Sequence, residues 1–247
     1  VYIYTIEMIT TYKVKENFYK DTNKQVLELS LEEIQKSNIT TYSEFYKGSD
    51  YVKPYFDFDI DNVKDKDTYN KIRNKIKNEY YDEIKDTFEE SLNKDDFTSS
   101  KEIINNIDIA ISESSYYTAE NNNKISIHFV VCGLCLKVCE IVPYCNHYLY
   151  TEDKIPFFQY FQGLDISVYR AADKTGNMRM INMNKPNKLI KLKPVNYKDD
   201  ITKHIIQHLI DGTTEFMKVS IDWKETNILN NNILINDKGL LYEKNNK

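Results

Sequence analysis

The stretch KPYFDFDIDN, residues 53 to 62, sets three aspartates at alternate positions inside an apolar run: Asp57, Asp59 and Asp61. Phe56, Phe58 and Ile60 fill the positions between them. Successive side chains of an extended chain point to opposite faces, so one face of this segment is carboxylate and the other apolar. Carboxylates about 7 Å apart on one strand face repel each other and lose hydration near a core, unless a cation or solvent compensates. Hard divalent cations such as Mg2+ and Mn2+ prefer oxygen ligands, and the spacing asks for one.

A second set follows the same period. Lys124, Ser126 and His128 in KISIHFVV share one strand face, between Ile125, Ile127 and Phe129. An ammonium, a hydroxyl and an imidazole in a row offer three donors to phosphate oxygens, although an ordinary exposed strand face reads the same way. A further carboxylate, Asp165, stands in the apolar segment GLDISVY, with Arg179 and Lys185 beyond it. Between residues 170 and 198 eight basic residues face Asp173 alone, while the whole chain carries a net charge of −5. A basic loop opposite an acidic strand suits a cleft that grips a polyanion by metal on one wall and cations on the other. The plain alternative is a solvated basic loop.

These residues need elements to hold them. Tyr69, Ile72, Ile76, Tyr80, Ile84, Phe88 and Leu92 recur every three or four positions amid charged residues. That predicts an amphipathic helix of roughly 25 residues, with room for one break, whose apolar stripe belongs to the core. Strands are expected at 106–114 and 124–131, joined by a polar turn ending in Asn121, Asn122 and Asn123. GLDISVY reads as another strand and RMINMN as its hairpin partner. Near the N-terminus VYIYTIEMITTY is strand-like, and Ser30 with Glu33 forms a capping box for a short helix. DDITKHIIQHLIDG predicts a helix with Gly212 at its C-cap. The Asn- and Lys-rich residues 226–247 read as a tail or linker, leaving residues 1–225 as one domain.

The remaining motifs narrow the chemistry. Six glycines form neither a dinucleotide fingerprint nor a P-loop, and the zincin and nucleophile-elbow signatures are absent. Cys132, Cys135, Cys139 and Cys145 with His147 contain one C-x2-C pair, a weak pattern for structural Zn2+ in a mostly apolar segment. Buried reduced thiols are the favoured reading. His204 and His208, four residues apart, lack a third ligand and read as half-buried histidines. No run of eighteen apolar residues and no signal-peptide pattern occur, so an intracellular chain without a membrane partner is expected.

Taken in order, a strand with D-x-D, a strand with S-x-H and a single strand-borne Asp resemble the catalytic core of the archaeo-eukaryotic primase superfamily. DISVYR, then MRM, then a lysine six residues after that arginine is similar to the primase-polymerase branch and its relatives in large DNA viruses. The resemblance spans roughly residues 40 to 210. It implies an α/β (α+β) primase catalytic fold with an RRM-like palm sheet and an additional N-terminal α/β subdomain. It also implies DNA replication chemistry: a nucleotidyltransferase that makes, and in some members extends, short primers on single-stranded DNA from NTPs or dNTPs.

By that resemblance Asp57, Asp59 and Asp165 are the catalytic ligands of two divalent metals, and Lys124, Ser126, His128, Arg179 and Lys185 bind the nucleotide triphosphate. It gives no role to Asp61, leaves Arg170 and Lys174 unassigned, and sets Tyr169 beside the nucleotide. A helicase in the same chain or replisome, and a viral replication site or the cytoplasm as location, are further implications. Two rival readings stand beside it. A DxD glycosyltransferase leaves the S-x-H strand and Asp165 unexplained, and a non-catalytic or inactive primase-like nucleic-acid-binding module leaves the three aspartates repelling a phosphate backbone.

Overall fold

The computed structural model describes residues 11–16, 25–93, 107–118, 123–148, 160–186 and 188–209, with three short strands beyond them. In chain order the strands are β1 (Tyr12–Glu16), β2 (Leu27–Leu29), β3 (Tyr42–Lys47), β4 (Tyr51–Val52), β5 (Tyr55–Asp61), β6 (Asp108–Glu113), β7 (Lys124–Cys132), β8 (Leu134–Lys137), β9 (Thr175–Arg179), β10 (Lys193–Pro194), β11 (Met217–Lys218), β12 (Ile233–Ile235) and β13 (Leu241–Glu243). The helices are α1 (Leu31–Lys36), α2 (Lys66–Lys75), α3 (Tyr81–Asn93) and α4 (Val138–Tyr148). The class is α+β.

The central sheet has the order β10-β6-β7-β5 and is antiparallel throughout. β7 is buried along its whole length: β5 and β6 flank it, Tyr81 of α3 packs on Phe129, and residues 201–204 pack against it as well. Phe56 and Phe58 of β5 and Phe129 of β7 project to the helical side: Phe56 meets Phe88 at 6.1 Å between ring centroids, and Phe58 meets Tyr80 at 5.8 Å and Phe129 at 5.2 Å. Aromatic pairs at these separations add about 0.5–1.5 kcal/mol each beyond area burial.

The expected amphipathic helix is present with its one break. α2 starts at Asp65, whose side chain accepts from Thr68 N–H, and a π turn at Ile76–Tyr80 joins it to α3. The cause of the turn lies in the spacing. The buried residues Ile76, Tyr80, Ile84 and Phe88 recur every four positions, which overshoots a 3.6-residue turn by about 40° each time. One wider turn takes up part of that excess and keeps the stripe against the sheet.

A second sheet, β2-β1-β3-β9, packs with α1 around Tyr12, Val14, Ile34 and Tyr42. Ser30 and Glu33 form the expected capping box of α1. Its fourth strand, β9, comes from residues 175–179, so this unit is not purely N-terminal. Smaller pairings are β11-β8-β4 and the β12–β13 ladder. Among the described residues no helix is long and apolar enough to cross a membrane.

Three expectations change. GLDISVY is not a regular strand: Phe58 and Leu164 make a single bridge, and Asp165 then caps a 3-10 turn at Ile166–Val168. RMINMN does not pair with it, because Arg179 ends β9 against β3 and the next residues turn. Over 199–209, the described part of the expected helix, there is instead a 3-10 turn, Ile201–His204, capped by Asp200. Its backbone is claimed by the core: Lys53 Nζ donates to the carbonyl of Thr202 (2.9 Å). Residues 1–10, Asn121, Asn122 and Gly212 lie outside the described residues.

The seam between the sheets is polar. Glu44 of β3 accepts from the backbone N–H groups of Ile206 (3.1 Å) and Gln207 (2.9 Å). Burial nonetheless pushes its carboxyl up to about 7, with those bonds and Lys53 pulling the other way. Between the ordinary carboxylate value and that raised one the native state holds a proton the unfolded chain has lost, so this group's contribution to stability falls as pH rises. Urea unfolding of the parent and of Glu44→Gln should therefore diverge: from about pH 4.5 to about 7 the parent loses stability relative to the variant.

Candidate active site: a carboxylate face in register with a cationic one

The β5–β7 ladder aligns the two alternating triplets. Asp57 lies opposite His128, Asp59 opposite Ser126 and Asp61 opposite Lys124. Directly paired residues share a sheet face, so all six side chains project to the same side. Ser112 of β6 continues the row on the far side of His128. The face is graded in depth: side-chain exposure rises from 15% at Asp57 to 30% at Asp59 and 63% at Asp61.

Asp165 arrives by backbone pairing. Its N–H donates to the carbonyl of Asp57 (2.7 Å), and Asp59 N–H donates to the carbonyl of Gly163 (2.8 Å). This docks residues 163–165 on the open edge of β5. Gly163 has φ +82°, and a Cβ there would lie 2.3 Å from Ile60 Cγ1, so the approach requires glycine. One oxygen of Asp165 accepts from Ser167 N–H at 2.8 Å.

Burial, then repulsion from Asp59 and Asp165, pushes the Asp57 carboxyl well up, against the pull of Arg179 and Lys124. Burial, then the charge of Arg179, pushes the His128 imidazole down, which makes it neutral. His128 Nε2 stands 3.3 Å from Asp57 Oδ1 without forming a hydrogen bond. Oδ1 of Asp57 and Oδ1 of Asp59 are buried without any hydrogen-bond partner. Such orphaned acceptors are costly unless an outside donor or cation completes them.

Lys124 binds Asp59 at 2.6 Å and reaches Asp61 at 3.6 Å. It loses hydration on burial, but the Asp59 hydrogen bond and the charges of Asp59, Asp61 and Asp57 outweigh this and hold it protonated. Arg179, at the end of β9, donates to Ser114 Oγ and to the carbonyl of Ile190 (3.3 Å), and its charge acts on Asp57 and Asp59. Burial pushes the Lys185 ammonium down, and Lys124, Asp59 and Arg179 all act on it. The expected residues Asp57, Asp59, Asp165, Lys124, Ser126, His128, Arg179 and Lys185 are thus brought to one side of one sheet.

Others fall elsewhere. Tyr169 lies deeper, buried and stacked at 5.2 Å on Tyr55, which shares the β5 face of the aspartates; its hydroxyl bonds the Tyr55 carbonyl, and the charges of Asp57 and Asp165 act on it. Cys132, Cys135 and Cys145 are buried thiols and Cys139 is half-buried; burial pushes Cys139 and Cys145 up, away from the thiolate that zinc needs. The His147 side chain lies outside the described residues. His204 bonds Ser112 Oγ (2.8 Å) while His208 bonds the Tyr12 hydroxyl (2.7 Å), so the two rings serve different places. Among the described residues no group of three or more His, Cys, Asp or Glu side chains is already arranged to hold a metal ion.

Sequence reasoning missed Ser112 and Ser114, which bring the hydroxyls of the third strand to this face. Their alternation in NIDIAISES was the available signal. No protein-family model matches this chain, and no curated protein matches it.

Because Lys124 offsets the Asp59 and Asp61 charges in a partly dry setting, Lys124→Met should lower stability by about 1–2 kcal/mol. Adding Asp59→Asn should recover part of the loss, and a double-mutant cycle in urea measures that coupling.

Proposed function

We propose that this chain is a metal-dependent nucleotidyltransferase of the primase-polymerase type, synthesising short primers on single-stranded DNA and extending them. The observation that carries this reading is the register: D-x-D and K-x-S-x-H face each other pair by pair, with Asp165 tied to the Asp57 backbone. In this reading β10-β6-β7-β5 is the palm sheet and the β1–β3 unit is the added subdomain.

Asp57, Asp59 and Asp165 fit Mg2+ or Mn2+ as all-oxygen donors, and the orphaned Oδ1 atoms of Asp57 and Asp59 support that assignment. Such ions, when bound, make a 3′ hydroxyl more acidic and neutralise charge developing on a phosphoryl group. The chain's own groups do the rest. Arg179 and Lys185 bring positive charge to a triphosphate, and Lys124 supplies an ammonium beside Asp59. Neutral His128 donates an N–H with no charge of its own to desolvate. Ser114 steers Arg179 by accepting its N–H.

One observation favours a second reading, a non-catalytic nucleic-acid module: Lys124 already neutralises Asp59 and Asp61 from within the chain. Primer synthesis separates the two. Parent chain with unprimed single-stranded DNA, labelled NTPs or dNTPs and Mg2+ or Mn2+ should yield short products. Asp57→Asn should reduce them at least about 100-fold, several kcal/mol at about 1.4 kcal/mol per tenfold. Product at parental rate from the variant would sink the catalytic reading, as would silence from the parent both without and with a supplied primer.

Metal binding has its own readout. Mn2+ should raise the parental Tm progressively with the logarithm of its concentration, because a ligand of the native state stabilises by mass action. Asp57→Asn and Asp165→Asn should each lose most of that rise.

A further inference from the structure

Beside the carboxylate face, and separated from it by the Arg179–Ser114 contact, lies a cleft of about 620 Å3 whose lining includes Arg73, Ser114, Leu189, Lys191 and Lys193. Of the residues given a part in nucleotidyl transfer only Ser114, which steers Arg179, also lines it, so the chemistry of the rest of the cleft is unaccounted for. Its volume lies in the range of small-ligand pockets, but those are enclosed mainly by apolar and aromatic walls. This one sets three cations and two strand-end hydroxyls beside four apolar residues, Leu189 among them.

Its charge is the first clue. Among the described residues Glu113 is its one acid, and Arg73 grips both oxygens of that carboxylate while Lys77 approaches at 3.4 Å. These pairings offset the only negative wall, so Lys191 and Lys193, both exposed, leave the cleft positive. Its rim is the second. Leu189 is 97% exposed, and the Lys188 ammonium sits 5.7 Å from the centre of the Tyr116 ring. An exposed apolar side chain and an aromatic ring amid lysines suit a polyanion that also shows flat apolar surface, which describes unpaired bases and not a duplex or an acidic peptide. The third is continuity. Loop residues 185–191 carry Lys185 toward Lys124 and Asp59 at one end and Lys191 into the cleft at the other, and Arg179 bonds Ile190 within that loop.

We infer that this cleft is the entry track for single-stranded nucleic acid, its phosphates lying along Lys191 and Lys193 and its bases over Leu189 and Tyr116. The assignment rests on the nucleotidyl-transfer reading for its purpose, but its binding is testable without it.

The test is fluorescence anisotropy of a labelled oligothymidylate with the whole chain, without metal or nucleotide, over a series of salt concentrations. The parent should bind, and Lys191→Ala/Lys193→Ala should weaken binding about tenfold or more at low salt. The slope of log affinity against log salt should fall by about 1.4, because each phosphate contact on a single strand contributes about 0.7. Lys188→Gln/Lys191→Gln, confined to the exposed loop, should weaken binding in the same direction, and matching melting curves for both variants show that the fold is intact. Unchanged affinity in both variants overturns the assignment, as does absence of binding by the parent. Equal, groove-dependent binding of polyglutamate also overturns it, in favour of a general anion surface. Groove-dependent binding together with failed primer synthesis would reject the catalytic reading and leave the track standing.

Discussion

Seven consecutive residue pairs between β5 and β7 fix the face on which every candidate functional group stands. Strand side chains alternate with a period of two, so a slip of one residue would carry Asp57, Asp59 and Asp61 into the aromatic core and Phe56 and Phe58 into water. Both outcomes are prohibitive, since buried unpaired carboxylates and exposed rings are penalised together. The register is therefore specified twice, by apolar packing below the sheet and by charge pairing above it. Lys124 at one end and His128 at the other span the same ladder that the aromatic rings lock from beneath.

The other elements serve that ladder. The capped helix pair lays Tyr80 and Phe88 on the rings of β5, and the Glu44 and Lys53 seam ties the second sheet and the 196–207 segment to one end of the carboxylate face. The Asp59–Asp61 end is the more exposed one. Gly163 does for the strand edge what the helices do for the strand face. It lets the chain come within bonding distance of β5, and so sets Asp165 beside Asp57 despite more than a hundred intervening residues. Burial, and then the like charges gathered in this way, raise the proton affinity of the deepest member, a penalty the fold carries locally because the rest of the sheet is so thoroughly packed.

Much of this was legible in the chain. Alternation exposed both triplets, a stripe with one break announced the long helix, and Ser30 with Glu33 marked the start of α1. These are local signals, in which neighbouring residues carry all the information. The failures are long-range. Nothing near GLDISVY says that its edge is taken by β5 after three residues, so a strand pattern became a bridge and a 3-10 turn. The helical pattern at 199–212 lost to Lys53 and Glu44, which capture its backbone groups from 150 or so residues away. The stacking of Tyr169 on Tyr55, with its hydroxyl on the Tyr55 carbonyl, joins residues 114 apart and is equally silent in the local pattern. The partner of Arg179 was hidden because Ser114 lies 65 residues from it.

The π turn at Ile76–Tyr80 has a bearing on how this chain can change length. Removing one residue from it would restore a regular helix and leave what lies beyond nearly in phase, because the wide turn spends one extra residue on about the same rotation, so Ile84 and Phe88 would stay against the sheet. The turn thus acts as a phase adjuster between two helical segments, and the four-residue spacing downstream is matched to its presence. A one-residue deletion is absorbed at this turn, whereas the same deletion in α3 would rotate the stripe beyond it by about 100° and need a re-spaced apolar pattern. The numbering of this helix, and not just its hydrophobicity, is part of what holds the carboxylate face in place.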